Sequence, residues 1–160
     1  MKVLAPSFAL ALWLAPIASL AGGEPRPAAN PLGRWLTASG NLEVEVAPCG
    51  EALCGTVVRV LANRSMSRAG EEMKPADPRD PMGMRILSDF APSEFDEVGG
   101  VRAPVAWKGQ IYNRENAKTY SCIMRIGDGG ELLLRGYVGL PWFGRTSAWT
   151  RPAVAVGGAQ

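Results

Sequence analysis

The stretch Arg135-Gly-Tyr-Val-Gly-Leu-Pro-Trp-Phe-Gly-Arg-Thr-Ser-Ala-Trp-Thr-Arg151 decides how this chain is read. It divides into a strand, a Gly-bounded apolar loop and a last strand ending in Trp149-Thr-Arg151. A strand-loop-strand ending of this kind closes a small β-barrel, and its residues suit packing and binding better than catalysis. Residue parity sorts the first strand into two faces. Leu132, Leu134, Gly136 and Val138 form an apolar set, and Leu133, Arg135 and Tyr137 form the other. The second set fits a solvated face; turned inward, Arg135 and Tyr137 would bind an anionic head group. Four apolar residues, Leu140 to Phe143, occupy the loop tip, where exposure needs a reason. They either fold back as a plug, or Trp142 and Phe143 form a cavity rim or a partner-docking patch, with Arg145 beside them to orient a carboxylate.

Working outward, the same grammar recurs. Short strand-like runs are separated by Gly, Pro, Asp and Asn, with no sustained 3.6-residue period. Eight strands are expected, at 33–38, 42–49, 54–61, 84–90, 105–112, 118–126, 131–138 and 146–151. The fold class is therefore all-β, an antiparallel up-and-down barrel of about eight strands, with a two-sheet sandwich as the alternative. Such a barrel holds either a packed core or one small ligand. Trp107, with Val105, Gly109 and Ile111, lies on an apolar face as core or cavity wall. Tyr120, Cys122, Met124 and Ile126 point inward by phase, so the Tyr120 hydroxyl needs a partner. The irregular segment 62–82, with Pro75, Pro78 and Pro81, either covers one barrel end or moves freely, and a short helix within 65–73 is an option.

The chain has 160 residues. Residues 1–21 read as a secretory signal peptide: one charge, Lys2, then an apolar run and Ser19-Leu20-Ala21 as a small-x-small cleavage site. Cleavage after Ala21 would leave 139 of the 160 residues, with 16 basic against 15 acidic side chains. Periplasmic or secreted localisation follows. Residues 22–31 read as a flexible lead-in, 32–152 as one barrel domain and 153–160 as a disordered tail. A net charge near zero gives no footprint for nucleic acid, and no membrane span is expected beyond the leader.

Cys49 and Cys54 flank Gly50-Glu51-Ala52-Leu53 between two strands. A four-residue hairpin loop would set them directly opposite each other, within disulfide reach. Export permits that bridge. Cys122 reads as a buried free thiol. The chain contains no His, which removes the commonest neutral-pH base and the commonest zinc ligand. The carboxylates form no evident acid–base pair, and Asp77-Pro-Arg-Asp80 is too sparse in oxygens for a calcium loop. No catalytic residue, metal site or cofactor is assigned, and an enzyme using Lys, Tyr or carboxylates is the least favoured reading.

Several motifs carry a resemblance. Gly33-Arg-Trp35 with Thr37, Val44 to Cys49, Leu53-Cys-Gly55 and Asp77-Pro-Arg-Asp-Pro-Met-Gly83 come first. Trp107-Lys-Gly-Gln-Ile-Tyr112, Lys118-Thr-Tyr120, Arg135-Gly-Tyr-Val-Gly139, Phe143-Gly-Arg-Thr146 and Trp149-Thr-Arg151 follow. In this order they resemble the bacterial exported proteins grouped as domain-of-unknown-function family 2147. Gln110, Asn113, Arg114 and Ala117 stand where members tend to have Gly, Asp, Pro and Gly. The resemblance implies a lipocalin-like fold and no family-wide activity. Gly33-x-Trp35 is also similar to the lipocalin signature, in which an Arg from the last strand covers the Trp. Arg151, or Arg145 in another register, is the matching candidate, and Trp35, Trp149 and Arg151 are then structural. These readings point to an exported binding protein for a small apolar or amphipathic ligand. The alternative is an envelope protein-interaction module docking through residues 140–143.

Overall fold

The structure, a computed structural model, describes residues 30–153. The expected signal peptide, 1–21, most of the expected lead-in and the last residues of the expected tail, 154–160, lie outside the described residues. Eight antiparallel strands run in sequence order around one sheet: β1 (Gly33–Leu36), β2 (Leu42–Cys49), β3 (Ala52–Val60), β4 (Arg85–Val98), β5 (Val101–Asn113), β6 (Lys118–Ile126), β7 (Leu132–Tyr137) and β8 (Arg145–Trp149). The first and last strands meet at one pair, Leu36 and Thr150, through two backbone hydrogen bonds of 2.7 and 3.1 Å. The result is the up-and-down barrel expected from the strand pattern.

Alternation fills the interior. Trp35, Val44, Val46, Val57, Leu87, Phe90, Trp107, Cys122, Met124, Leu132, Leu134 and Trp149 form one buried cluster. Packing is close enough to demand glycine on the inner wall. A Cβ at Gly55 would fall 2.7 Å from the Leu87 side chain, and one at Gly109 would fall 2.7 Å from the Phe90 ring. Interiors at this density leave few voids. Leu132 and Leu134 face inward, as the apolar face of β7 predicts.

Three local expectations change. The β2–β3 turn has two residues rather than four, Gly50 and Glu51, and Cys49 pairs with Ala52 while Cys54 pairs with Ala47. Gly50 at φ 72° occupies the first central position, which type II′ hairpins reserve for glycine. The cysteines are therefore diagonal neighbours, not opposite ones; the Cys49–Cys54 disulfide forms with a Cα–Cα distance of 5.8 Å. Second, β4 and β5 run well past their expected ends and meet at Gly99-Gly100. Beyond Phe90, β4 pairs only with β5, and before Ala106, β5 pairs only with β4, because β3 pairs no further along β4 than Phe90 and β6 no further along β5 than Ala106. Pro92 and Pro104 look like breaks in sequence; each is tolerated because the ribbon strands have a free edge.

Third, segment 61–84 contains no helix. Arg64 bridges Glu72 instead. The buried Asn41 holds this segment, accepting from Arg64 N and donating to Arg64 O at 2.9 and 2.8 Å. Glu115 accepts from the Ser67 hydroxyl at 2.8 Å and from Met66 N at 3.0 Å. The segment is a fixed strap over one barrel end. Asn30 and Pro31, at the end of the expected lead-in, are also held: their carbonyls accept from Arg151 and from the Trp35 indole.

Candidate functional site

The register of β7 settles its faces. Arg135 pairs with Ile123 and Thr146, and Gly136 with Cys122 and Arg145. Gly136 shares the inner face of Leu132 and Leu134, so Arg135 stands on the outer one. Its guanidinium turns back over the β7–β8 connection. Nε donates to Pro141 O at 2.6 Å, Nη2 to Trp142 O at 3.1 Å and Nη1 to the Thr146 hydroxyl at 3.1 Å. Those carbonyls belong to a single 3-10 turn, Pro141–Phe143, closed by Phe143 N to Leu140 O and Gly144 N to Pro141 O. The turn presses against β7: a Cβ at Gly144 would sit 2.6 Å from Gly136 O and 3.0 Å from Tyr137 Cβ. Tyr137 is buried.

The backbone of this tip is locked, yet its side chains are in water. Trp142 is 68% exposed, Phe143 77% and Val138 74%, with Leu140 also exposed. The two aromatic rings tilt at 50° with centroids 6.3 Å apart. The tip is not the plug that folding back would make. Arg145 stands beside it, exposed, and makes no ion pair or hydrogen bond through its side chain among the described residues.

Of the ligand-contact candidates, Arg135, Tyr137, Trp142, Phe143 and Arg145 are thus gathered at one end. Trp107 is elsewhere, buried in the core cluster across from Met124. Tyr120 is half-buried, and its hydroxyl accepts from Asn116 Nδ2 at 2.7 Å. Of the two candidates to cover Trp35, the structure uses Arg151, whose guanidinium carbon lies 3.6 Å from the indole ring centroid. Arg151 also donates to Leu32 O at 2.8 Å, Arg34 O at 3.3 Å and Asn30 O at 3.2 Å. Gly33 makes room for it, since a Cβ there would lie 2.9 Å from an Arg151 nitrogen. Trp149 is in the core.

A second cluster was not singled out from sequence. Asp77, within the strap, is buried and accepts from Arg79 Nε, Arg79 N and the Tyr112 hydroxyl, the last at 2.6 Å. Arg79 beside it, then Tyr112, hold the Asp77 carboxyl well below the usual carboxylate range. The same hydrogen bond to Asp77 raises the Tyr112 phenol. The signal that could have revealed it is the motif Asp77-Pro-Arg-Asp80 itself, whose first acid and Arg pair across two residues. Hydrogen bonds from Ser65 and then Ser67 lower the Glu115 carboxyl.

None of this assembles into an activated nucleophile. Burial pushes the Cys122 thiol up to about 12, so it stays protonated at neutral pH. Among the described residues no cluster of three or more acidic or thiol side chains could hold a metal ion, and no helix is long and apolar enough to cross a membrane.

A closed eight-stranded meander, with Trp35 on its first strand covered by an Arg from the end of its last, defines a lipocalin-like barrel. The chain belongs to the family described as "Uncharacterized protein conserved in bacteria (DUF2147)", whose pattern matches residues 33–151. No curated protein matches its sequence. One similar solved structure is described as "Protein HP1028 from the human pathogen Helicobacter pylori belongs to the lipocalin family". It is 21% identical, with a TM-score of 0.48, over 71% of this chain and 73% of that one.

Proposed function

We propose that this chain is an exported, lipocalin-like binding protein that works from its outer surface, docking an envelope protein through the aromatic tip at 138–143. The observation that carries this reading is the exposure of Trp142 and Phe143 on a backbone clamped by Arg135. Aromatic residues and Arg dominate the energetic centres of protein interfaces. A tip already held in one conformation avoids part of the ordering cost of association. Arg145 supplies an unpaired cation that a partner carboxylate would meet. The filled interior speaks against a central site for the small apolar or amphipathic ligand expected around Trp107. Export rests on the Lys2-to-Ala21 leader alone.

A photo-crosslinking side chain at position 142, introduced in living cells, tests the docking. A discrete adduct with one envelope protein, lost when Phe143→Ser is added, is the expected result. Adducts with lipid only, or the same adducts from a crosslinker at the exposed Glu51 in the β2–β3 turn at the opposite end of the barrel, would overturn it. Export is checked by mass: the periplasmic or secreted chain should begin at Gly22, and an intact chain confined to the cytoplasm would refute it.

A further inference from the structure

On the outer wall of the barrel an open cleft of about 480 Å³ lies beside the strap. Its floor comes from β4, β5 and β6. The register sets Ser88 beside Gln110 and Tyr112 beside Thr119, so these side chains stand in adjacent rows on one face. Arg79 and Arg85 flank them. Arg79 is held through Nε and Nη2 by Asp77. Arg85, Ser88, Gln110 and Thr119 make no side-chain hydrogen bond or ion pair among the described residues. The acid on the wall, Asp80, accepts from Met82 N at 2.9 Å. Asp77 offsets Arg79, so the donors left for a ligand are Arg85, a carboxamide, two hydroxyls and the remaining Arg79 N–H groups, against the one lining carboxylate, Asp80. Met82 and Met84 supply apolar lining.

We propose that this cleft binds a small amphipathic anion, with a carboxylate or phosphate monoester head and a short apolar tail. A donor-rich wall needs an acceptor-rich ligand, and the guanidinium fork matches both oxyanions. Asp77 makes the site selective rather than merely basic. It takes the Nε and Nη2 side of Arg79 and leaves Nη1 presented from a fixed position. Arg85 has no such partner, so its charge is available to the ligand. The methionines adapt their shape to the tail. The cleft shares no lining residue with the aromatic tip.

Titration of the purified chain with hexanoate and with hexyl phosphate, followed by amide NMR, tests the proposal. Saturable shifts at Ser88, Gln110, Thr119 and Gly83 are expected with at least one anion, and which one binds identifies the head group. Arg85→Gln should weaken binding roughly tenfold, the loss of about one charge-assisted hydrogen bond. Gln110→Glu, which adds an acid to the floor, should weaken it as well and serves if Arg85→Gln misfolds. Trp142→Ser should leave it unchanged. Absence of saturable shifts with both anions, equal shifts from neutral hexanol, or unaltered affinity in both cleft variants would overturn the site.

Discussion

Asp77 has four donors on its two oxygens: Arg79 N, Nε and Nη2, and the Tyr112 hydroxyl. Its folded-state carboxyl titrates below its unfolded one, so the stabilisation is complete above the unfolded value, 3.8, and is lost as pH falls through the folded value. Asp77→Asn should lower the Tm at pH 7 and show a flatter dependence of Tm on pH below 4 than the parent chain. Equal slopes would mean that Asp77 is not the titrating anchor. Ala117 makes a different point. It takes φ 54° in the β5–β6 turn. The left-handed region costs an alanine about 1 kcal/mol. Ala117→Gly should raise stability by about that amount in urea unfolding, less the extra freedom Gly gives the unfolded chain. Residue roles were legible where a partner lies close in sequence or follows a known pattern, as for Cys49 with Cys54. Asp77 was legible only as an Asp-x-Arg pair; its burial and its bond to Tyr112, from 35 residues away, follow from the fold.

Elements read more easily than their lengths. Period-2 alternation located all eight strands, and two, 42–49 and 118–126, match end to end. The β4–β5 ribbon was hidden because free-edge strands accept proline and lose the alternation that burial imposes. The Pro141–Phe143 turn shows the converse. Its apolar sequence allowed a plug or a patch; in the fold Arg135 clamps the turn's carbonyls and the Trp142 and Phe143 side chains stay exposed. Arg135→Gln should leave the barrel intact while the amides of Phe143 and Gly144 exchange roughly tenfold faster, the effect of about one lost hydrogen bond. Unchanged exchange there would show that Gly144 packing alone holds the tip.

At the scale of the molecule, closure of the barrel depends on few groups. One backbone pair joins β1 to the end of β8, and Arg151 reinforces it by covering Trp35 and bonding three carbonyls of the first strand and its approach. Arg151→Ala should therefore cost about 2 kcal/mol, with Arg151→Lys recovering only part because an ammonium cannot lie flat on the ring and reach those carbonyls together. Chemical denaturation with unchanged m-value is the measurement, and a loss within error would place closure in the core instead. An even count of alternating strands has one more effect. Asn30 and Arg151 touch, so the chain enters and leaves the barrel side by side, while the β7–β8 turn comes at the other end of the strands. The aromatic tip and the paired entry and exit of the chain therefore lie at opposite ends of the barrel. A segment continuing from Asn30 or Arg151 thus starts at the end of the barrel away from Trp142 and Phe143.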